Sequence, residues 1–239
     1  MEQLILHTSA SRGHANHGWL ESRHTFSFAD YHHPQRMNFG VLRVLNDDIV
    51  DPGQGFSTHP HNNMEIISIP LEGVLEHRDS MGNVALIRKG DVQVMSAGSG
   101  IRHSEYNKSD VDVVKFLQIW VIPNKRNVEP RYDQITLDLK LLHNNLYQIL
   151  SPDLLDEGVW IHQDAWFSLG NFDEGYAISY KQHKPGNGLY AFVLKGNFNI
   201  QGVALELRDG LGITGAEQLQ ITAGSNDAAL LLMEVPMQL

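Results

Sequence analysis

Two short segments hold side chains whose types and spacing could bind a transition metal. The first is His59-Pro60-His61 and the second is His103-Ser104-Glu105. In an extended strand residues i and i+2 point to one face, so each triplet aims two donors at one point. Pro60 turns away and removes a ladder donor, which marks an irregular or edge strand. Alone, a His-x-His pair is a weak signal, because such pairs are more often surface residues than ligands. If the strand after the turn at 98–100 runs beside the His59 strand, three imidazoles and one carboxylate converge. Three neutral nitrogens and one anionic oxygen suit a borderline divalent transition metal. Octahedral coordination would leave two positions open, for a substrate and a gas together. The opposing reading is that His103 and Glu105 only hydrogen-bond inside the fold, and the presence of both segments weighs against it.

The elements that must position these side chains read as strands. β-type runs occur at 39–45, 64–71, 74–77, 84–87, 91–95 and 113–122, and again at 176–180, 189–194, 203–207, 217–221 and 228–235. Turn signals separate them, among them Pro52-Gly53, Glu72-Gly73, Lys89-Gly90-Asp91, Lys195-Gly196-Asn197 and Asp209-Gly210. Short strands at this spacing predict an all-β sandwich or barrel. Helical pattern is scarce; 151–156 predicts one helical turn capped by Ser151 or Asp153.

A weak internal repeat divides the chain. Leu71-Glu72-Gly73-Val74 is echoed by Leu194-Lys195-Gly196-Asn197, and Arg88-Lys89-Gly90-Asp91 by Arg208-Asp209-Gly210. The expectation is two barrels, 1–130 with the metal site and 131–239 without one, joined by a polar connector at 123–146. The offset from Leu71 to Leu194 carries His59 to Gln182 and His61 to Lys184. The offset from Gly90 to Gly210 carries His103 to Ala223 and Glu105 to Ser225. These four are not a ligand set, and His183 falls one residue out of register. One metal per chain is therefore expected.

Composition bounds the function. With 18 Lys+Arg against 28 Asp+Glu the formal net charge is −10, which argues against a general nucleic-acid binder. The absence of cysteine excludes disulfides, thiol nucleophiles and thiolate metal sites. The first residues lack a basic stretch followed by a long apolar run, and no stretch is apolar enough to span a bilayer. A soluble cytoplasmic protein is expected. Of 13 histidines, ten lie at or before position 103, which places any chemistry in the first half. His24, His32 and His33 are read as turn or surface residues, and Phe56, Met64 and Trp120 as core.

The segments GFSTHPHNNMEIISIPLEG (55–73) and GDVQVMSAGSGIRHSEYN (90–107) resemble the cupin signature, and specifically the pirin family. FSFADY (26–31), FGVLRVLNDD (39–48) and LEHRDSMGN (75–83) also look pirin-like. The variant is similar to bacterial pirins described as quercetin 2,3-dioxygenases. That resemblance implies a bicupin of two jelly-roll barrels with one metal, held by His59, His61, His103 and Glu105. It implies a dioxygenase that opens the heterocyclic ring of a flavonol such as quercetin with O2 and releases CO. Glu105 is then the candidate general base for the substrate hydroxyl. Fe(II) is the first choice of metal, with Ni, Co, Mn, Cu and Zn compatible with the same donors. Many cupins place their carboxylate where Glu65 stands; here Glu65 is expected either to support the ligands from behind or to play a structural role, with ligation the minority reading. The alternative from the family is a non-enzymatic, metal- or redox-sensing partner of a regulatory protein, acting through protein rather than nucleic acid.

Overall fold

The computed structural model describes residues 2–238. In chain order its first strands are β1 (Gln3–His7), β2 (Gly13–Asn16), β3 (Leu20–His24), β4 (Leu42–Val50), β5 (Gly55–His61) and β6 (Glu65–Glu72). Then follow β7 (Val74–Asp79), β8 (Val84–Arg88), β9 (Asp91–Ser96), β10 (Ile101–Asn107), β11 (Val114–Val121) and β12 (Arg131–Thr136). The later part carries β13 (Tyr147–Ser151), β14 (Val159–Trp160), β15 (Trp166–Phe172), β16 (Ala177–Lys181) and β17 (Asn187–Lys195). It closes with β18 (Phe198–Ile200), β19 (Val203–Leu205), β20 (Gly210–Thr214), β21 (Gln218–Ala223) and β22 (Ala228–Pro236). Every run expected from the sequence overlaps one of these strands. No helix among the described residues is long and apolar enough to cross a membrane.

The strands form four sheets, two per half. In the first half a 7-stranded sheet (β12-β9-β6-β11-β4-β3-β2) faces a 4-stranded sheet (β5-β10-β7-β8). The second half repeats the plan with β1-β20-β17-β22-β15-β13-β14 over β16-β21-β18-β19. Among the described residues neither pair of sheets closes into a barrel, so the expected jelly-roll barrels are two-layer sandwiches with free edges. Pro60 lies on β5, at the edge of its sheet, where its missing N–H breaks no ladder.

Two further expectations are corrected. The polar connector contains β12, which pairs with β9 along Arg131–Thr136 and adds an edge strand to the first large sheet. At the other end, β1 pairs with β20 in the second large sheet. Each half thus lends a strand across the division expected at 130/131. Residues 151–156 form no helix, because side chains take the amides locally. Asp153 N donates to Ser151 Oγ at 3.1 Å, and Leu155 N donates to Asp153 Oδ1 at 2.9 Å.

The alternation of side chains makes three packing layers. One face of the first large sheet carries Leu45, Ile67, Ile69, Val92, Leu117 and Ile119 against Ile149, Phe167, Leu231 and Met233 of the second. This continuous core joins the halves. Inside the second sandwich the filling is mostly hydrocarbon, with Leu189, Leu205, Leu211, Ile213, Leu219, Ile221, Leu230 and Leu232, and at one end the buried Glu234 accepts from Tyr180 Oη and Asn187 Nδ2. The inside of the first sandwich differs. Two small apolar clusters, one around Leu75, Ile87 and Phe116 and one around Ile66, Met95 and Ile101, lie within it. A polar band lies on the same inward face.

Candidate metal centre

The polar band follows from register. Directly opposed residues share a face of a sheet. Gln134 opposes Gln93, Gln93 opposes Ser68, Ser68 opposes Gln118, Gln118 opposes Asn46, and Asn46 opposes His24. Six polar side chains thus cross the sheet in one row, where alternation alone would favour apolar ones. Burying polar groups costs free energy that hydrocarbon would avoid, and Gln93 is buried with neither amide atom partnered, so this row marks a site rather than a core.

The facing small sheet supplies the histidines. On β10, His103 opposes His59 of β5, and Ile101 opposes His61. The predicted adjacency of the two strands is therefore present. A register shift between His103 and Glu105 bulges β5 at Ser57 and Thr58. The bulge brings the Ser57 carbonyl to accept from His59 Nδ1 at 2.7 Å. That bond fixes the tautomer and leaves Nε2 as the free lone pair. Gly55 permits the close approach of the strands, since a Cβ there would lie 2.2 Å from the Glu105 carbonyl oxygen. Gly98, at φ +50, turns the chain from β9 into β10, and a Cβ there would meet the Val128 carbonyl at 2.1 Å.

The three rings converge. Centroids are 4.8 Å apart for His59 and His61, 4.5 Å for His59 and His103, and 5.0 Å for His61 and His103. One nitrogen from each falls within 4.8 Å of the others, and among the described residues this is the one such group of three or more metal-type donors. Burial holds His61 down to about 4, with the neighbouring His103 and His59 adding to the effect and Glu105 opposing it. His103 is held down to about 3 by burial first, then by His59 and His77. Both rings are neutral at pH 7, the state a ligating imidazole needs. Neither nitrogen of His103 has a hydrogen-bond partner although both are buried. A buried histidine with two unused nitrogens is the donor a cation would complete.

Glu105 is 1% exposed and projects inward beside the cluster. Its oxygens do not fall within the three-nitrogen group. They are occupied by the polar band: Ser68 Oγ donates to Oε1 at 3.1 Å, and Gln118 Nε2 donates to Oε2 at 3.2 Å. Glu65 belongs to the opposite face. It lies across from Ser96 and Val121, accepts from Ser96 Oγ at 2.6 Å, and is buried. Asn63, at φ 47, and the turn around it restart the alternation between His61 and Glu65. The structural role expected for Glu65 agrees with this position.

Sequence reasoning missed several neighbours. His24 is buried, with Nδ1 2.9 Å from Asn46 Oδ1, and ends the polar band instead of lying at the surface. His32 is exposed and His33 half-buried. His77 is fully buried, its Nε2 3.1 Å from Asp79 Oδ2, and its ring lies 5.3 Å from His103. The LEHRD segment held the signal: His77 and Asp79 are i and i+2, the spacing that marked the other two pairs. Trp120 packs edge-on to His61 at 4.9 Å and also touches Phe28 at 5.4 Å.

Two sandwiches in one chain, the first with a histidine cluster inside, define the bicupin class of metalloproteins. The pirin family matches residues 6–121, and the quercetinase C-terminal cupin domain matches residues 148–235. Quercetin 2,3-dioxygenase of Escherichia coli (strain K12) is 43% identical over 237 residues, covering 98% of this chain and 99% of that protein. A putative quercetin 2,3-dioxygenase of Pseudomonas aeruginosa is 42% identical over 224 residues, covering 93% and 95%. A crystal structure of the bacterial pirin YhhW from Escherichia coli in complex with nickel(II) superposes with a TM-score of 0.92 at 41% identity, covering 98% and 99%. The chain belongs to the pirin family, close to its quercetin 2,3-dioxygenase-like bacterial members.

Two buried carboxylates outside the histidine cluster, Glu65 on the far face and Asp48 beside the polar band, make stability pH-dependent. Burial pushes Glu65 up to about 7, against the opposing Ser96 hydrogen bond and Arg131 charge. Asp48 is likewise pushed up to about 7 by burial, against the Ser22 hydrogen bond. A raised carboxyl pKa means the folded state binds more protons than the unfolded one. Stability is therefore lost as pH rises from the ordinary carboxylate range through about 7. We expect Glu65→Gln to reduce this loss by on the order of 3 kcal/mol at pH 8 relative to pH 5. Urea unfolding of the metal-free protein at both pH values measures it, and an unchanged pH slope would contradict burial as the cause.

Proposed function

We propose that this protein is a metal-dependent dioxygenase that opens the heterocyclic ring of a flavonol such as quercetin with O2 and releases CO. The observation that carries the reading is the convergence of His59, His61 and His103 inside one sandwich of a chain 43% identical to a quercetin 2,3-dioxygenase over nearly its whole length. One divalent cation would be held by these three imidazoles, with Glu105, buried beside them, as the candidate fourth donor. Fe(II) is the first choice because oxygenation commonly uses it; the nickel(II) complex of the Escherichia coli pirin supports a first-row divalent ion of this kind. When bound, the cation supplies a Lewis acid that lowers the pKa of a coordinated substrate hydroxyl.

The remaining work falls to the chain. Glu105 accepts the proton of the substrate 3-hydroxyl, a carboxylate beside the reacting oxygen. Ser68 and Gln118 hold Glu105 in place before substrate arrives. Trp120, Phe28 and Met64 offer apolar and aromatic surface near His61 for a flat ring system. The division of labour is one metal-bearing unit, expected at 1–130 and completed by β12, and a structural unit, expected at 131–239 and completed by β1. In the second sandwich the strands that correspond to β5 and β10 are β16 and β21, whose inward positions are Ile178, Tyr180, Leu219 and Ile221. Three hydrocarbon side chains and the Tyr180 phenol, hydrogen-bonded to the buried Glu234, fill that space, and among the described residues no group of three metal-type donors stands there.

The test is oxygen uptake and CO release with quercetin, on protein reconstituted with Fe(II) and on a metal-free control. We expect turnover only with metal, and one metal per chain by elemental analysis. Two tightly bound ions per chain would overturn the one-site reading. Metal-loaded protein inert toward flavonols would favour the sensing role instead.

A further inference from the structure

A metal-ligating histidine uses one ring nitrogen for the cation and almost always donates its other N–H to an acceptor. For His59 that acceptor is the Ser57 carbonyl. His103 has none: both its nitrogens are buried and unpartnered. Its neighbour on β7 has the complementary vacancy. His77 is fully buried, and its Nδ1 is also unpartnered.

Register explains why the two rings meet. His103 opposes Asp79 across the β10–β7 ladder, and Glu105 opposes His77. All four side chains therefore project from the same face of the small sheet. The His77 ring has Tyr132 on one side, centroids 4.7 Å apart, and His103 at 5.3 Å. Its Nε2 lies 3.1 Å from Asp79 Oδ2. Asp79 is itself pinned: Asn83 Nδ2 donates to Oδ2 at 2.8 Å, while Met81 N and Asn83 N donate to Oδ1 at 2.9 and 3.1 Å. A carboxylate so fixed accepts from His77 Nε2–H and sets the tautomer. His77 Nδ1 is then a bare lone pair, buried next to a ring that needs an acceptor.

We propose that Asp79 and His77 are positioning residues for the metal centre, with His77 Nδ1 accepting the non-ligating N–H of His103 when the cluster holds its cation. The relay runs carboxylate, imidazole, ligating imidazole. It orients His103 and raises its basicity as a ligand. The idea rests on reading His59, His61 and His103 as a metal site, and extends it to two residues outside the ligand set.

The experiment uses Co(II) alone, read by equilibrium competition and by its visible spectrum. His77→Phe keeps an aromatic ring between Tyr132 and His103 but removes the acceptor. It should weaken Co(II) binding by about 10–100-fold, the range for loss of an outer partner of a ligand, and shift the visible bands. Asp79→Asn, whose NH2 must face either the two turn amides or His77 Nε2, should also weaken Co(II) binding, because His77 loses the acceptor that sets its tautomer. Wild-type affinity and spectrum in His77→Phe would overturn the proposal while leaving the metal site intact. A wild-type protein that takes up no Co(II) would overturn both. A second measurement does not depend on a variant folding. In the Zn(II)-loaded wild-type protein, long-range proton–nitrogen NMR should show His77 protonated at Nε2 and bare at Nδ1. Protonation at Nδ1 would overturn the assignment.

Discussion

We expect His103→Ala to yield a folded protein that holds no divalent cation and consumes no oxygen with a flavonol. The ring it removes is one of three nitrogen donors, and it stands at the centre of the cluster, with His59, His61 and His77 all within 5.3 Å. Two imidazoles at the edge of a sheet do not retain a transition metal against dilution. Folding survives because His103 does little for the metal-free protein. Its two nitrogens make no hydrogen bond, and a buried unsatisfied polar group is a liability of about 1–3 kcal/mol. Losing that liability offsets much of the small cavity left behind. Metal content should fall to background by elemental analysis, and flavonol-dependent oxygen uptake to the level of the metal-free wild type. His59→Ala should behave alike, since it removes the donor whose tautomer is fixed by Ser57. A His103→Ala protein with full metal content would refute the cluster as the binding site.

How much of this centre the sequence disclosed depended on whether the information was local. Alternation along a strand is local, so His59 with His61, and His103 with Glu105, were legible as inward pairs. So were the strands with strong β composition, β6 to β9 and β11. What is not local is which strand lies beside which. The polar band from Gln134 to His24 draws one residue from each of six strands, and no spacing along the chain links them. The same applies to β12, whose composition reads as a connector but whose amides complete a ladder with β9.

Local rules also fail where the backbone resets them. His61 and Glu65 are an even number of residues apart, which in a continuous strand would set them on one face. The positive-φ Asn63 ends β5, and β6 begins in the other sheet with Glu65 turned toward Arg131 and the second half. His77 and Asp79 present the opposite failure. Their i and i+2 spacing matched the two chosen pairs, but nothing in the chain indicated that β7 would lie against β10. Only the ladder brings His77 across from Glu105.

Glu105→Gln separates ligand from base, and its surroundings make it a clean probe. The carboxylate is 1% exposed and takes donors from Ser68 and Gln118, one on each oxygen. A glutamine of the same size can keep its carbonyl oxygen on Gln118 Nε2. Its new NH2 then faces the Ser68 hydroxyl, which rotates to accept. The Ser68 hydroxyl proton then loses its acceptor, a cost of about 1–3 kcal/mol that leaves the hydrocarbon core untouched, so the substitution removes charge and proton-accepting power without removing the fold. If Glu105 acts mainly as the base, the variant keeps its metal and loses flavonol turnover by about 10²–10⁴-fold. If it acts mainly as a ligand, metal affinity falls as well, and added metal restores part of the activity. The two outcomes are told apart by metal content and oxygen uptake measured on the same sample. The present hydrogen bonds favour retention of metal in the variant, because Glu105 is held by Ser68 and Gln118 outside the three-nitrogen group. Full turnover at full metal occupancy would exclude both roles for this carboxylate.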